Sequence, residues 1–150
     1  DRLKDLFKTS NGKYIAPQQI ETILGGDVFI EQVAVIGNNR NYVTAIIAPN
    51  IEAIKGYAEQ NGIKYEYVDE LMDNPQICKM MEERIAELQK DMAPYEKIKK
   101  FRMIKRGFTI ESGELTSTLK LRRAVILQNY AAMIEEMYNP VQGPLGGYAK

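Results

Sequence analysis

The sequence predicts an α+β fold, in which a small mixed or antiparallel sheet is flanked by helices and preceded by an N-terminal β-hairpin. Residues 32–36 and 42–48 are rich in β-branched and aliphatic side chains and are separated by a short polar loop, which is typical of paired strands. Apolar residues recur at helical spacing between positions 77 and 92. An Asn-Gly pair at positions 11 and 12 predicts a tight turn near the start.

The first elements are a hairpin and a short helix. Asn11 and Gly12 tolerate the positive φ of a tight turn, and Tyr14 resumes an extended pattern after it. Pro17 suits the first turn of a helix that continues to Leu24, where two glycines stop it. The strands of the central sheet follow, joined by the loop at residues 37–41.

Two helices come after the second strand. Asn50 can cap a helix that runs from residue 51 to about residue 60, with Gly62 closing it. Asp73 and Pro75 open the next helix. Its apolar residues form one stripe, which indicates a core or a domain interface rather than a ligand site. The stripe consists of Ile77, Met81, Ile85, Leu88 and Met92.

The last third predicts a strand, a loop and a long helix. Pro94 ends the preceding helix, and residues 98–104 alternate loosely as a more exposed strand of the central sheet, which we expect around residues 33–48 and 98–106. A loop over residues 108–118 leads to a helix from about residue 120 to 138, with an apolar side. That side carries Val125, Ile126, Tyr130, Met133, Ile134 and Met137.

Length and composition predict one domain. The 150 residues are 45% apolar, enough for a single core, so we expect a domain over residues 1–140 and a mobile glycine-rich tail over 141–150. The 20 basic and 20 acidic residues cancel, which argues against a nucleic-acid partner. The chain lacks a signal-like or long apolar run, so we expect a cytoplasmic location. It starts at Asp1 without a methionine, and we expect a fragment of a longer protein.

Histidine is absent and cysteine occurs once, at Cys78. This excludes, within the chain, a zinc site of the usual Cys/His kind and a Ser-His-Asp triad. We expect no metal site here.

Two charged segments are candidates for chemistry. Residues 1–8 place charged side chains around Leu3, Leu6 and Phe7, and residues 113–120 form a Ser- and Thr-containing loop that ends in Lys120, at the predicted helix start. Either segment can be ordinary solvated surface. Hydroxyls and amides beside a lysine on a flexible stem would suit an anionic transition state. No P-loop pattern is present, so such a lysine would act on a phosphate held elsewhere.

In this order and spacing, the two segments resemble the C-terminal domain of the adenylate-forming superfamily, which includes acyl-CoA synthetases. Residues 1–21 resemble the hinge motif, and residues 113–123 resemble the terminal catalytic-lysine motif. The Leu-Thr-x-Thr-x-Lys form, followed by Ile134, Glu135 and Tyr138, is similar to the long-chain fatty acyl branch. Two positions depart from common patterns: Ser117 stands where proline is frequent, and Leu119 stands where other branches carry glycine.

The resemblance implies the lid domain of the acyl-CoA synthetase-like fold. Lys120 would then bridge the carboxylate and the α-phosphate during adenylation, and Lys4 would be the hinge about which the lid rotates. Asp1 and Arg2 would contact the nucleotide ribose and phosphates. The loop formed by Lys8, Ser10, Asn11 and Gly12 would line the CoA channel after rotation, although Lys8 is equally well read as an ordinary surface lysine.

The resemblance also implies partners. The complete long-chain fatty acid–CoA ligase would use ATP, Mg²⁺ and CoA, and this domain would work with the N-terminal adenylation domain of the same polypeptide. The ATP loop and acyl tunnel belong to that domain, so we expect the isolated chain to be inactive and to bind none of these groups alone. Peripheral attachment of the complete enzyme to the inner face of a membrane is compatible with this interpretation.

Two alternatives remain open. One is a non-catalytic regulatory domain of the same fold. The other is a stand-alone basic binding module, in which one cationic face with interleaved Tyr95 and Phe101 would bind nucleic acid, or the 3′-phosphate of CoA in the lid. That face would contain Lys97, Lys99, Lys100, Arg102, Lys105, Arg106, Lys120, Arg122 and Arg123.

Overall fold

The computed structural model describes residues 6–139. It begins with the predicted hairpin, in which β1 (Phe7–Lys8) and β2 (Tyr14–Ile15) pair antiparallel. Gly12 in the turn has φ +85°, a conformation that glycine adopts without steric cost. The predicted tail at residues 141–150 lies outside the described residues.

The central sheet has the order β3-β4-β5, with β3 (Ile30–Ile36), β4 (Val43–Pro49) and β5 (Ile98–Met103). Strands β3 and β4 are antiparallel and joined by a short loop, whereas β4 and β5 are parallel. A parallel pair needs a long crossover, and the helices between β4 and β5 supply it. The sheet is therefore mixed, which confirms the α+β prediction.

Helix α1 (Pro17–Gly25) precedes the sheet, and α2 (Ile51–Gln60) and α3 (Pro75–Leu88) form most of the crossover. Asn50 caps α2 as predicted, because its side chain accepts a hydrogen bond from the Ala53 N–H at 3.2 Å. The cap of α3 is Asn74 rather than Asp73: the Asn74 side chain accepts from two N–H groups of the first turn. The prediction missed two short 3₁₀ helices, Val68–Asp73 and Pro94–Glu96.

The single helix predicted from about residue 120 to 138 is wrong in two respects. It begins later and is divided into α4 (Arg123–Asn129) and α5 (Ala131–Tyr138). At the junction, Tyr130 has φ −115° and ψ 26°, while its ring packs edge-on against Phe108 with centroids 6.2 Å apart. The apolar spacing continues across the junction, and for this reason the sequence pattern did not reveal the break.

Both faces of the sheet are covered. One face carries the larger cluster and packs against α1 and α3, with buried residues that include Ile20, Leu24, Val33, Val35, Ala45, Ile47, Ile77 and Met81. The other face packs against α4 and α5, with buried Ala34, Ile36, Ile46, Ala48, Ile126, Ile134 and Met137. Alternate residues along β3 and β4 thus point to opposite faces of the sheet and belong to different core layers. None of the helices within residues 6–139 has the length and apolar character needed to cross a bilayer.

The C-terminal layer is fastened to β4 by a tyrosine pair. Tyr138 stacks on Tyr42 with centroids 4.7 Å apart, and its hydroxyl donates to the Tyr42 carbonyl at 2.8 Å. The Tyr42 hydroxyl in turn donates to the Met137 carbonyl at 2.6 Å. Burial raises the pKa of Tyr138 to about 12, so the hydroxyl stays a donor at neutral pH.

Candidate functional site

Lys120 lies in a short loop whose two ends pair with each other. Leu115 and Leu121 form an antiparallel bridge at the base of the loop. Inside it, the Thr116 N–H donates to the Lys120 carbonyl at 2.8 Å, and the Leu119 N–H donates to the Thr116 carbonyl at 2.8 Å. Helix α4 starts only at Arg123, so the predicted placement of Lys120 at a helix start is wrong.

The Thr116 hydroxyl organises the interior of this loop. It accepts hydrogen bonds from the Lys120 N–H at 3.1 Å and the Thr118 N–H at 3.3 Å. Leu119 adopts φ +68°, a left-handed conformation that is uncommon for a residue with a side chain. In the motif that this loop resembles, other branches carry glycine at position 119. The left-handed backbone explains that preference, because glycine adopts positive φ without steric cost.

The Lys120 side chain is exposed and lines a groove of about 600 Å³. The opposite wall comes from α1 and the first half of β3, including Gln18, Thr22 and Glu31. Within residues 6–139, the Lys120 ammonium has neither an ion-pair nor a hydrogen-bond partner. A fixed backbone thus presents a free cation on a flexible stem, which can neutralise an anionic group brought to the groove.

Two anchors that the sequence analysis missed hold the stems of the loop. Glu114 is buried and accepts hydrogen bonds from the Ser112 hydroxyl and the Asn129 amide, both at 2.9 Å. On the other stem, Arg123 forms an ion pair with Glu21 at 2.6 Å. No local pattern could reveal the second anchor, because its partners lie 102 residues apart.

The pKa of Tyr130 is raised, mainly by burial and secondly by the negative charge of Glu114. The phenol therefore stays neutral beside the loop.

The hairpin that carries the predicted CoA-channel residues is fastened to the β3–β4 loop. The Ser10 N–H donates to the Arg40 carbonyl at 2.8 Å, and the Asn11 side-chain amide donates to the Asn41 carbonyl at 3.3 Å. Lys8 is exposed, with its ammonium 5.5 Å from the centroid of the Tyr14 ring. Ser10, Asn11 and Gly12 are also exposed, and nothing lies within 4 Å of a Cβ built on Gly12.

The structure does not bring Lys120 and the hairpin together. The groove of Lys120 is lined by residues from the first half of β3, whereas the hairpin contacts the loop that follows β3. The two candidate sites therefore lie toward opposite ends of that strand. Asp1, Arg2 and Lys4, for which nucleotide and hinge roles were predicted, lie outside the described residues.

Several residues of the predicted cationic face are engaged in contacts within the domain. Phe101 is only 2% exposed and belongs to the core, so it cannot interleave with bases. Arg102 pairs with Glu136 at 2.8 Å, and Lys105 pairs with Asp69 at 3.7 Å. Burial and then the neighbouring Lys97 lower the pKa of Lys99. These contacts weaken the geometric case for a nucleic-acid platform.

No group of three or more His, Cys, Asp or Glu in the described part of the chain could hold a metal ion. Comparison with known proteins identifies the family of the chain. The family model described as "AMP-binding enzyme C-terminal domain" matches residues 4–142. The chain belongs to this family.

Curated relatives of this AMP-binding enzyme C-terminal domain are long-chain acyl-CoA synthetases. "Long chain acyl-CoA synthetase 7, peroxisomal" of Arabidopsis thaliana is 31% identical over 97% of the chain, and "Long chain acyl-CoA synthetase 4" of the same plant is 36% identical over 94%. "Long-chain-fatty-acid--CoA ligase 1" of Homo sapiens is 30% identical over 95%. The chain spans only 22%, 22% and 21% of these relatives, about a fifth of each.

Solved structures agree on the fold. The adenylation domain of a carboxylate reductase from Mycobacterium chelonae superposes with a TM-score of 0.75 at 26% identity, covering 92% of this chain and 20% of that one. A Mycobacterium tuberculosis fatty acyl CoA synthetase gives a TM-score of 0.51 at 22% identity, covering 89% of this chain and 21% of that one. The AMP-binding enzyme C-terminal domain thus has the fold of the small domain of adenylate-forming enzymes.

Proposed function

We propose that this domain is the mobile lid of a long-chain fatty acid–CoA ligase and that Lys120 is its catalytic residue. The observation that carries the proposal is the Lys120 ammonium, which is unpaired among residues 6–139 and lies beside a groove, on a loop whose backbone is held by Thr116. In the adenylation pose the ammonium would bridge the fatty acid carboxylate and the α-phosphate of ATP. It would neutralise the charge that gathers as the carboxylate oxygen attacks phosphorus and pyrophosphate leaves.

The separation of the two candidate sites supports rotation of the lid. With Lys120 toward one end of β3 and the hairpin toward the other, the domain would present the two sites to one active site in turn. Rotation would withdraw Lys120 after adenylation and bring in the hairpin for thioester formation. Lys4 would serve as the hinge of this rotation, and Asp1 and Arg2 would contact the nucleotide.

The hairpin turn suits a narrow channel for the pantetheine arm of CoA. Gly12 has no side chain, its surroundings are open, and its φ of +85° keeps the turn tight. Ser10 and Asn11 would offer polar groups along the channel, and Lys8 would lie at its edge. Because Ser10 and Asn11 are tied to the β3–β4 loop, the channel wall would move with the whole domain.

The remaining substrates would come from the rest of the polypeptide. ATP with its Mg²⁺ and the long-chain fatty acid would be held by an N-terminal adenylation domain, the partner of this lid. CoA would be the acyl acceptor. We expect the isolated domain to be inactive and the complete enzyme to act in the cytoplasm, with peripheral membrane attachment as a further proposal.

The test is the exchange of Lys120 in the complete enzyme. Lys120→Ala should lower pyrophosphate release from ATP and a long-chain fatty acid by about a hundredfold, because a charge at the transition state is lost. Thioester formation from pre-made acyl-adenylate and CoA should stay close to the wild-type rate. Lys79→Ala, which removes an exposed lysine on α3, is the matched control and should leave both rates unchanged.

Unchanged pyrophosphate release in Lys120→Ala would overturn the assignment. The domain would then regulate or bind rather than catalyse.

A further inference from the structure

We infer that Arg123, held by Glu21, is a positioning residue that fixes the Lys120 loop on the domain during acyl-adenylate formation. The inference rests on the proposed function, because it concerns the support of Lys120. It differs from that proposal in assigning a role to two residues that need not touch any substrate.

The contacts of Arg123 form a compact network at the edge of the sheet. Its Nη1 donates to Glu21 Oε2 at 2.6 Å and to the Val35 carbonyl at 2.9 Å. The Val35 N–H donates to the same Glu21 oxygen at 2.9 Å. The Arg123 and Glu21 side chains are only 23% and 12% exposed, so water screens their attraction weakly. Strand β3 is the edge strand here, and this ion pair binds its outward backbone groups at Val35.

The position of Arg123 in the chain connects this network to the lysine. Arg123 is the first residue of α4 and follows Lys120 by three positions. The bridge between Leu115 and Leu121 closes the loop, and the Arg122 N–H donates to the Glu114 carbonyl at 2.7 Å, so the base of the loop is joined to the start of α4. Glu21 lies on α1, which directly follows the hairpin. The ion pair therefore fixes the orientation of the Lys120 loop relative to α1 and the sheet.

An arginine is suited to this task because its planar fork reaches a carboxylate and a carbonyl together. A glutamine at position 123 would lose the charge and most of the fork, and the start of α4 would no longer be tied to both partners. A displacement of a reacting group by about 1 Å can cost on the order of a hundredfold in rate. Loss of Arg123 should consequently lower the rate of the step that uses Lys120.

The chain supplies a matched control in a second carboxylate–arginine pair. Arg84 on α3 donates two hydrogen bonds to Asp27 Oδ1, at 3.0 and 2.7 Å, and its guanidinium stacks on Phe29. This pair ties α3 to the connection between α1 and β3. Arg84→Gln therefore removes an ion pair of the same kind without touching the stems of the Lys120 loop.

The experiment uses the full-length enzyme and both half-reactions. Arg123→Gln should lower kcat for pyrophosphate release by about tenfold or more, with thioester formation from pre-made acyl-adenylate unchanged. Arg84→Gln should leave both rates unchanged. In a Lys120→Ala background, Arg123→Gln should cause no further loss, since the two residues act through one group. Arg123→Lys keeps the charge without the fork, and we expect an intermediate loss in the same half-reaction.

Two results would overturn the positioning role: an equal loss in both half-reactions, or a full additional loss in the Lys120→Ala background. If Arg123→Gln is poorly folded, the rates of the two half-reactions are compared in Arg123→Lys instead. Wild-type pyrophosphate release in Arg123→Gln, together with a strong loss in Lys120→Ala, would overturn this inference and leave the proposed function intact. Wild-type release in Lys120→Ala itself would overturn the proposed function.

Discussion

At the scale of single residues, Lys120 combines a free side chain with a fixed backbone. Its N–H and carbonyl are both bound by Thr116, while its ammonium faces the groove with no partner among residues 6–139. The preceding Leu119 keeps this geometry by adopting φ +68°. For a leucine, the left-handed conformation costs about 1–2 kcal/mol. The loop accordingly stores strain one residue before the lysine.

Leu119→Gly should therefore raise the free energy of unfolding, by up to about 1 kcal/mol, since glycine adopts positive φ without the Cβ penalty. Little packing would be lost, because the Leu119 side chain is 66% exposed. The control is Leu127→Gly within α4, where the side chain is 38% exposed and glycine should cost about 1 kcal/mol. Thermal or denaturant unfolding of the chain checks both. Equal destabilisation by the two changes would contradict the left-handed assignment.

At the scale of secondary-structure elements, the prediction from sequence was most accurate where local periodicity and turn residues determine the structure. The hairpin, the three strands, α1 and α2 were predicted close to their observed bounds, whereas α3 ends at Leu88 and not just before Pro94 as predicted. The long C-terminal helix was not, because its apolar spacing runs unbroken through the junction at Tyr130. Lys120 was identified from its motif, but its anchor was missed. The Glu21–Arg123 pair joins residues far apart in the chain, and only the folded arrangement of α1, β3 and α4 reveals it.

The connection between α1 and β3 offers a test of pH dependence. Burial of the Asp27 carboxyl opposes ionisation, yet hydrogen bonds from Arg84 and the Phe29 N–H lower its pKa below 3.8. The side chain is 5% exposed. A lowered pKa in the folded state means that the carboxylate stabilises the fold above pH 3.8 and that this contribution is lost as the pH falls through the folded value.

Asp27→Asn should consequently cost about 2 kcal/mol at pH 7, the order of a hydrogen bond to a charged group. The difference from wild type should shrink when unfolding is measured at about pH 2, because the carboxyl of the unfolded chain is protonated there and the stabilising effect of the lowered pKa is reduced. Asp91→Asn, at an exposed position, is the control and should change stability little at either pH. A cost for Asp27→Asn that is the same at both pH values would contradict the ion-pair interpretation.

At the scale of the whole molecule, the sheet separates two sites that the sequence placed about a hundred residues apart. Layers of helices cover both faces of the sheet, and the hairpin and the Lys120 groove lie toward opposite ends of β3. With 20 basic and 20 acidic residues, the chain has no net charge to attract a polyanion. Under the proposed function, the chemistry of the domain is local to the two ends. A rotating lid would use these ends in turn, one for each half-reaction.

The most direct measurement compares Lys120→Ala with Gly12→Asn in the full-length enzyme, in both half-reactions. Asparagine tolerates positive φ and position 12 is open, so the hairpin should remain folded while the added side chain narrows the proposed channel. We predict opposite losses: Lys120→Ala impairs pyrophosphate release and spares thioester formation, and Gly12→Asn does the reverse. Parallel losses of both half-reactions in either variant would contradict a lid that presents its two ends in alternation.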